Sequence, residues 1–196
     1  MILLTGFTGK LGKYLIKYPD VIGIKFDITK DIPDVDVDMV IHCAAYTDVM
    51  KAETDDEKCF HTNVYGTHNL VNHFKDVPFV LISSEYAKNP LGVYALSKKL
   101  SEEIVKSHPH YLIIRTLFKP NPYPFDVAYA DQFTQGDYVD IIAEKIWQHI
   151  RTWNRKNCEL AYVGTGRKTM FELALRTKPN VKPNTITNPI IPSDYL

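Results

Sequence analysis

A chain of 196 residues has room for one large hydrophobic core and little space for a second domain. Lysine plus arginine balances aspartate plus glutamate at 23 each, which gives no electrostatic ground for a nucleic-acid or membrane-surface partner. No apolar run approaches the roughly 18 residues of a membrane span, and Cys43, Cys59 and Cys158 lie too far apart in sequence to form a metal-binding pattern.

The cysteines read as free thiols of a reducing compartment, with Cys43 and Cys158 buried in apolar runs. The early apolar residues lead straight into a glycine turn, so no secretory leader is expected and a cytoplasmic location is.

In chain order, residues 2–5 read as a strand that feeds Gly6-Phe7-Thr8-Gly9-Lys10-Leu11-Gly12, a GxxGxxG turn before an amphipathic helix over 10–18. Gly6 allows the tight turn, Gly9 lets backbone approach a pyrophosphate, and Gly12 lets the helix lie against the strand. The helix N-terminus would offer N–H groups to phosphate oxygens. A glycine turn without a ligand is the plain alternative. Pro19 ends the helix by holding Tyr18 out of the helical region.

A second strand is expected over 21–26. Lys25, nineteen residues after Gly6, falls where a dinucleotide site reads the adenosine ribose. An acid there favours NAD, whereas a base accommodates the 2′-phosphate of NADP. Lys25, with Lys10 in support, tilts the expectation toward NADP. Asp27 reverses it if the strand runs two residues longer, and a solvated lysine is the other reading. The acidic, proline-interrupted stretch 27–38 is expected to be a solvated connection, since it lacks the oxygen spacing and central glycine of a calcium loop.

The strand over 39–45 ends in Ala44 and Ala45, small residues that either border a cofactor or simply pack closely. A helix over 55–74 follows, with Phe60, Val64, Leu70, Val71 and Phe74 largely at helical spacing. Asn63 interrupts that apolar face. A buried asparagine needs partners, so it would tie the helix to a neighbouring strand edge or order a water.

The strand over 79–83 runs into the hydroxyls of Ser83 and Ser84. A helix over 94–107 then places Tyr94 and Lys98 on one face. An ammonium beside a phenol lowers its pKa. A hydroxyl such as Ser84 holds a substrate oxygen while Tyr94 gives or takes its proton. This set suits hydride transfer to or from a carbonyl and needs no metal. YxxxK alone is equally a surface pair; the glycine turn before it favours the chemical reading. Strands over 112–116 and 159–163 and a helix over 138–152 complete the pattern. Ile141, Ile142, Ile146, Trp147, Ile150 and Trp153 form a core stripe, with a homodimer face as the second reading. Residues 179–196, rich in Pro, Asn and Thr, read as a meandering tail. The βα alternation and strands apolar on both faces predict an α/β, Rossmann-type, doubly wound and mostly parallel sheet with helices on both sides.

These residues carry a resemblance. The chain resembles an extended short-chain dehydrogenase/reductase, nearest the dTDP-4-dehydrorhamnose reductase branch that acts on sugar nucleotides. The matching stretches are the 5–12 turn, Asp27-Ile28-Thr29, Cys43-Ala44-Ala45-Tyr46-Thr47-Asp48-Val49, Asn63-Val64-Tyr65-Gly66, Ile82-Ser83-Ser84-Glu85-Tyr86, Tyr94-Ala95-Leu96-Ser97-Lys98, Arg115-Thr116 and residues 138–143. The resemblance implies that Gly6, Gly9 and Gly12 cradle the pyrophosphate of NAD or NADP. Asp27 and Ile28 would lie along the adenine. Ala44 and Ala45 would border the nicotinamide half, with Tyr46 nearby. Ser84, Tyr94 and Lys98 would be catalytic, with Lys98 also on the nicotinamide ribose. Phe7, Thr8, Lys10, Leu11, Lys25, Asn63 and Ser83 complete the expected cofactor contacts.

The chain departs from that pattern in length. Branch members run near 300 residues, and here the substrate-binding parts, about 117–137 and 164–196, are much reduced. Glu85 stands where the branch has aspartate. The expectation is therefore a single dinucleotide-binding domain with a reduced substrate-binding part. It would be an NAD(P)-dependent reductase of a nucleotide-linked 4-keto-6-deoxy sugar. An epimerase or dehydratase of the same superfamily, or a non-catalytic dinucleotide-binding regulatory subunit, are the alternatives.

Overall fold

The computed structural model describes residues 1–194; Tyr195 and Leu196, where the predicted tail ends, lie outside the described residues. Six parallel strands form the central sheet: β1 (Ile2–Thr5), β2 (Val21–Ile22), β3 (Met39–His42), β4 (Phe79–Ile82), β5 (Tyr111–Arg115) and β10 (Glu159–Tyr162). Their order is β10-β5-β4-β3-β1-β2. From β1 the chain moves first to β2 on one side, then to β3 on the other, so the strand order reverses between β1 and β3. In open α/β sheets ligands bind at the carboxyl ends of strands beside such a reversal.

The alternation of side chains explains why both faces are covered. Ile2, Leu4, Met39, Ile41, Val80, Ile82, Leu112 and Ile114 point into one apolar cluster, which α1 (Gly12–Leu15) and α5 (Val139–Thr152) complete. Leu3, Val40, Phe79, Leu81 and Ile113 point into the other, with Leu70 and Val71 of α3 (Gly66–His73) and Val105 of α4 (Val93–Val105). Successive strand residues face opposite sides, so a strand apolar at every position fits only between two helical layers.

Helix α5 bears out the core stripe: Ile142, Ile146, Trp147, Ile150 and Trp153 are buried, and Trp147 stacks on Tyr18 with ring centroids 4.5 Å apart. Ile141 lies at the edge, against a third cluster built on Leu117, Tyr123, Tyr138, Met170 and Leu173.

Several elements differ from expectation. Helix α1 has one turn, then tightens: Lys17 N–H bonds Tyr14 C=O and Tyr18 N–H bonds Leu15 C=O, both at 3.2 Å. Strand β2 ends at Ile22 and not at residue 26. The predicted helix over 55–74 is three pieces, α2 (Asp56–Phe60), a π-helical turn His61–Tyr65 and α3. The π turn centres on Asn63, a common device at functional sites. Beyond β5 the chain forms short paired strands: β6 (Phe118–Lys119) with β9 (Asp137–Tyr138), β7 (Val127–Tyr129) with β12 (Lys182–Asn184), and β8 (Phe133–Thr134) with β11 (Lys168–Thr169). Helix α6 (Met170–Leu175) follows β11. Of the thiols, Cys59 is buried, Cys43 half-buried and Cys158 exposed, which corrects the expectation for Cys158: its strand neighbour Leu160 is also exposed at the sheet edge. No helix among the described residues is long and apolar enough to cross a membrane.

Candidate functional site

A cleft of about 820 Å³ opens at the carboxyl ends of β1, β3 and β4. It runs from the glycine turn to Tyr94 and Lys98, and its size suits a small-molecule ligand, for which clefts of ~300–1,000 Å³ are usual.

At one end stands the turn after β1. Gly6 has φ +68° and packs so closely on the end of β3 that a Cβ there would sit 2.6 Å from the Ala44 nitrogen. Gly12 lies equally tightly under the turn, where a Cβ would meet the Phe7 Cα at 2.6 Å. Only glycine combines that dihedral with that proximity. Gly9 N–H closes the turn on Gly6 C=O at 2.9 Å.

Beneath the turn, a buried hydrogen-bond chain locks β1 to β3 and α3. Thr67 Oγ1 donates to Asn63 C=O at 2.5 Å, so it must accept from His42 Nε2, 3.0 Å away. His42 Nδ1 is then an acceptor and receives the Thr5 hydroxyl at 2.7 Å. Thr5 in turn accepts Ala44 N–H at 3.2 Å. The geometry demands a neutral imidazole, and burial, aided by Lys98, pulls His42 down to about 3.

At the other end, α4 presents Tyr94 and Lys98 one turn apart. Ser84, at the end of β4, bonds the Tyr94 phenol, and Lys98 Nζ donates to the Ile82 carbonyl at 2.9 Å. Burial holds Lys98 down to about 8, although Glu102 opposes this. The expectation that Lys98 lowers the Tyr94 pKa is not met. Burial pushes the phenol up to about 12, with the Ser84 bond only partly offsetting it, while the ammonium is spent on the Ile82 carbonyl. Tyr94 is thus a protonated acid at neutral pH.

The strand ends are themselves braced. Glu102 accepts Ser83 Oγ at 2.6 Å and takes Arg115 in a two-pronged pair, Nε at 2.9 Å and Nη2 at 2.6 Å. Arg115 also donates to Tyr162 Oη at 2.7 Å. The Glu102 bond holds Arg115 firmly protonated. Glu85 is buried and faces away from the cleft. Its carboxylate takes Thr134 Oγ1 at 2.6 Å and Gln135 N–H at 3.2 Å, and burial raises its pKa.

Of the expected site residues, Gly6, Thr8, Gly9, Lys10, Leu11, Gly12, Asp27, Ile28, Ala44, Ala45, Ser83, Ser84, Tyr94 and Lys98 all line this one cleft. Four do not. The Phe7 ring is packed against Gly23 and the core. Lys25 is exposed outside the cleft, on the irregular stretch that follows the end of β2 at Ile22. Tyr46 points away, its hydroxyl donating to Asp55 at 3.2 Å. Asn63 acts from behind: its Oδ1 accepts Tyr46 N–H at 2.7 Å, and its Nδ2 donates to Tyr46 C=O at 3.1 Å and Ser97 Oγ at 2.8 Å. It ties the helix to the loop after β3, where a tie to a strand edge was expected.

Lining residues that the sequence did not mark include Phe26, Cys43, Tyr86, Leu117, Lys119 and Phe125. Tyr86 packs edge-on against Tyr94, with centroids 6.0 Å apart. Burial pushes the Cys43 thiol up to about 12, so it is an inert wall. Leu117, Lys119 and Phe125 come from the segment after β5, which carries no local signal. Among the described residues no group of histidine, cysteine and carboxylate side chains is arranged to hold a metal.

The chain is similar to several known proteins. An uncharacterized membrane protein of Methanocaldococcus jannaschii is 30% identical over 142 residues, 54% of this chain and 42% of that one. A probable low-salt glycan biosynthesis reductase of Haloferax volcanii is 26% identical over 167 residues, 73% of this chain and 56% of that one. The match thus spans about half the length of these relatives. Among solved structures, the dTDP-4-dehydrorhamnose reductase of Bacillus anthracis in complex with NADP superposes with a TM-score of 0.81 at 23% identity, over 100% of this chain and 88% of that one, a likeness of fold. The model of the RmlD substrate binding domain matches residues 1–145, from the glycine turn through both braced strand ends into α5. With that match covering most of its length, the chain belongs to the RmlD substrate binding domain family.

Proposed function

We propose that the protein is an NAD(P)-dependent reductase of the short-chain dehydrogenase/reductase type that reduces the keto group of a nucleotide-linked sugar, a 4-keto-6-deoxyhexose being the substrate class the family favours. One observation carries the reading. A glycine turn too tight for any Cβ and a Ser84-Tyr94-Lys98 set line opposite ends of one cleft. The cleft residues fit a dinucleotide: the turn exposes backbone to a diphosphate, and Ala44 and Ala45 leave room along its path. When bound, the nicotinamide supplies the hydride.

The chain's own residues do the rest. The Ser84 hydroxyl donates to the substrate carbonyl oxygen. Tyr94, protonated at neutral pH, gives its phenolic proton to that oxygen as the carbonyl carbon gains hydride, so C=O becomes CH–OH and the phenol is left to be reprotonated from solvent. Lys98, one turn along α4 and held by Ile82, keeps a positive charge in the same cleft.

At the adenosine end Asp27 lines the cleft and Lys25 does not. Hydrogen bonds from Thr29 hold the Asp27 carboxyl below its usual range. An ionised carboxylate there accepts ribose hydroxyls, so NADH is expected to bind at least as tightly as NADPH, against the tilt that Lys25 gave. The segments 117–137 and 164–194 serve as a reduced substrate-binding part of one dinucleotide-binding domain. Glu85 weighs against a dehydratase, because its carboxylate is committed to residues 134 and 135.

The test is turnover. Purified protein with NADH or NADPH and a thymidine-diphosphate 4-keto-6-deoxy sugar is expected to lose absorbance at the nicotinamide band. Tight cofactor binding with no loss across a panel of nucleotide-linked keto sugars would favour the regulatory-subunit reading.

A further inference from the structure

Lys119 is the cleft residue that the proposed reaction leaves without a task. It stands on β6, the two-residue strand that follows β5. Its neighbour Phe118 packs into the same apolar cluster as Leu11 of the glycine turn, and β6 pairs in register with β9, Phe118 opposite Asp137 and Lys119 opposite Tyr138. The strand therefore returns over the sheet and brings a second lysine to the turn that already carries Lys10. Both line the cleft.

The charges around it are uneven. The cleft's charged side chains are Lys10, Lys98, Lys119 and Asp27, three cations and one anion in a chain of zero net charge. Lys98 is committed to the Ile82 carbonyl and Asp27 to Thr29. Among the described residues no carboxylate reaches Lys119 within ion-pair distance and no hydrogen bond to its ammonium is made; it lies 5.8 Å from the centre of the Phe125 ring. Lys119 is half-buried, so its ammonium loses part of its water, and the protein supplies no acceptor in exchange.

We propose that Lys119 and Lys10 grip a diphosphate from two sides, and that this diphosphate belongs to the bound dinucleotide lying on the glycine turn. The inference rests on the dinucleotide reading and adds to it a binding residue from the segment after β5. It also gives that segment a second use: besides its place in the proposed substrate-binding part, it closes the cofactor's phosphate end. Burial and the nearby Lys10 both disfavour the Lys119 ammonium and bring it down to about 8; an anion between the two lysines relieves both effects.

The test compares ligands with and without phosphate on the full chain, by calorimetric titration of wild type, Lys119→Met and Lys119→Arg. Lys119→Met is expected to weaken ADP and NADH by about tenfold, the value of one charge-assisted hydrogen bond, and to leave adenosine unchanged. Lys119→Arg is expected to keep most of the affinity. Thymidine diphosphate separates the two sources of diphosphate: its binding should be unaffected. Equal losses for ADP and adenosine, no loss for either, or a loss confined to thymidine diphosphate would each overturn the assignment. If Lys119→Met does not fold, the wild-type protein decides. ADP, and not adenosine, is expected to shield Lys119 from reductive methylation, read by mass spectrometry; equal labelling with and without ADP overturns the proposal. A wild type that binds neither NADH nor NADPH would sink the dinucleotide reading as well. Firm wild-type binding with Lys119→Met unchanged would sink only the clamp.

Discussion

The two ends of the molecule are held together in different ways. Around β1, β3, β4 and β5 the chain is a parallel sheet whose strands are largely apolar on both faces, so burial places most residues and buried hydrogen bonds lock the polar few at the strand ends. Around β7, β8, β11 and β12 the strands are two or three residues long, and polar contacts between distant residues hold them. Glu85 anchors Thr134 and Gln135, Tyr138 Oη donates to Leu173 C=O at 2.8 Å, and Arg176 pairs with Asp137 at 2.8 Å. The first region positions the proposed chemistry. The second lies outside the cleft lining and joins these polar contacts to a small apolar cluster of its own.

The difference can be broken at chosen points. The largest effect is expected at Tyr94, in the first region. Tyr94→Phe should lower turnover by about 10²–10⁴-fold, the usual contribution of a positioned acid, with cofactor affinity nearly unchanged. Steady-state rates and a binding titration on the same preparation check this. An unaltered rate would remove Tyr94 from the chemistry.

Acid probes the packing beneath the turn. His42 is held at about 3 against an ordinary value near 6.5, so the unfolded chain takes up its proton first. The stability due to the neutral imidazole is complete above pH 6.5. It is lost as pH falls toward 3, at roughly 1.4 kcal/mol per pH unit. Denaturant midpoints between pH 7 and 4 should show this slope for wild type and a shallower one for His42→Asn.

In the second region, Glu85→Ala leaves Thr134 Oγ1 and Gln135 N–H without their acceptor, at a cost of about 2 kcal/mol. Hydrogen exchange should quicken over residues 133–137 while the central strands stay protected. Uniform quickening would mean that the two regions are not separable. The smallest effect is expected at Thr169, which caps α6 in a reciprocal box with Glu172. Thr169→Ala should cost about 1 kcal/mol and lower the melting temperature without altering cofactor binding.

The same contrast explains what could be read from the sequence. Strands such as Phe79–Ile82, apolar at every position, announce a covered sheet, and the four-residue spacing of Tyr94 and Lys98 announces a shared helix face. Lys25 misled because the position of a ribose-reading residue depends on where β2 ends, and β2 stops at Ile22. Strands β7 and β12 were illegible, since Lys182, Pro183 and Asn184 are all exposed and pair only because the chain returns to Val127. Helix α6 does carry a signal in its capping box, Thr169 three residues before Glu172 at the head of an apolar run. Lys119 had none: its place beside Lys10 comes from a strand that crosses the cleft, not from any local pattern.

The central claim is that the cleft takes a dinucleotide. Fluorescence titration of the full chain with NADH and NADPH tests it most directly. Saturable binding of at least one, abolished in Gly12→Ala, where the new methyl would collide with the Phe7 Cα, is the expected result. Absence of binding to both at millimolar concentration, with the protein folded, would contradict it.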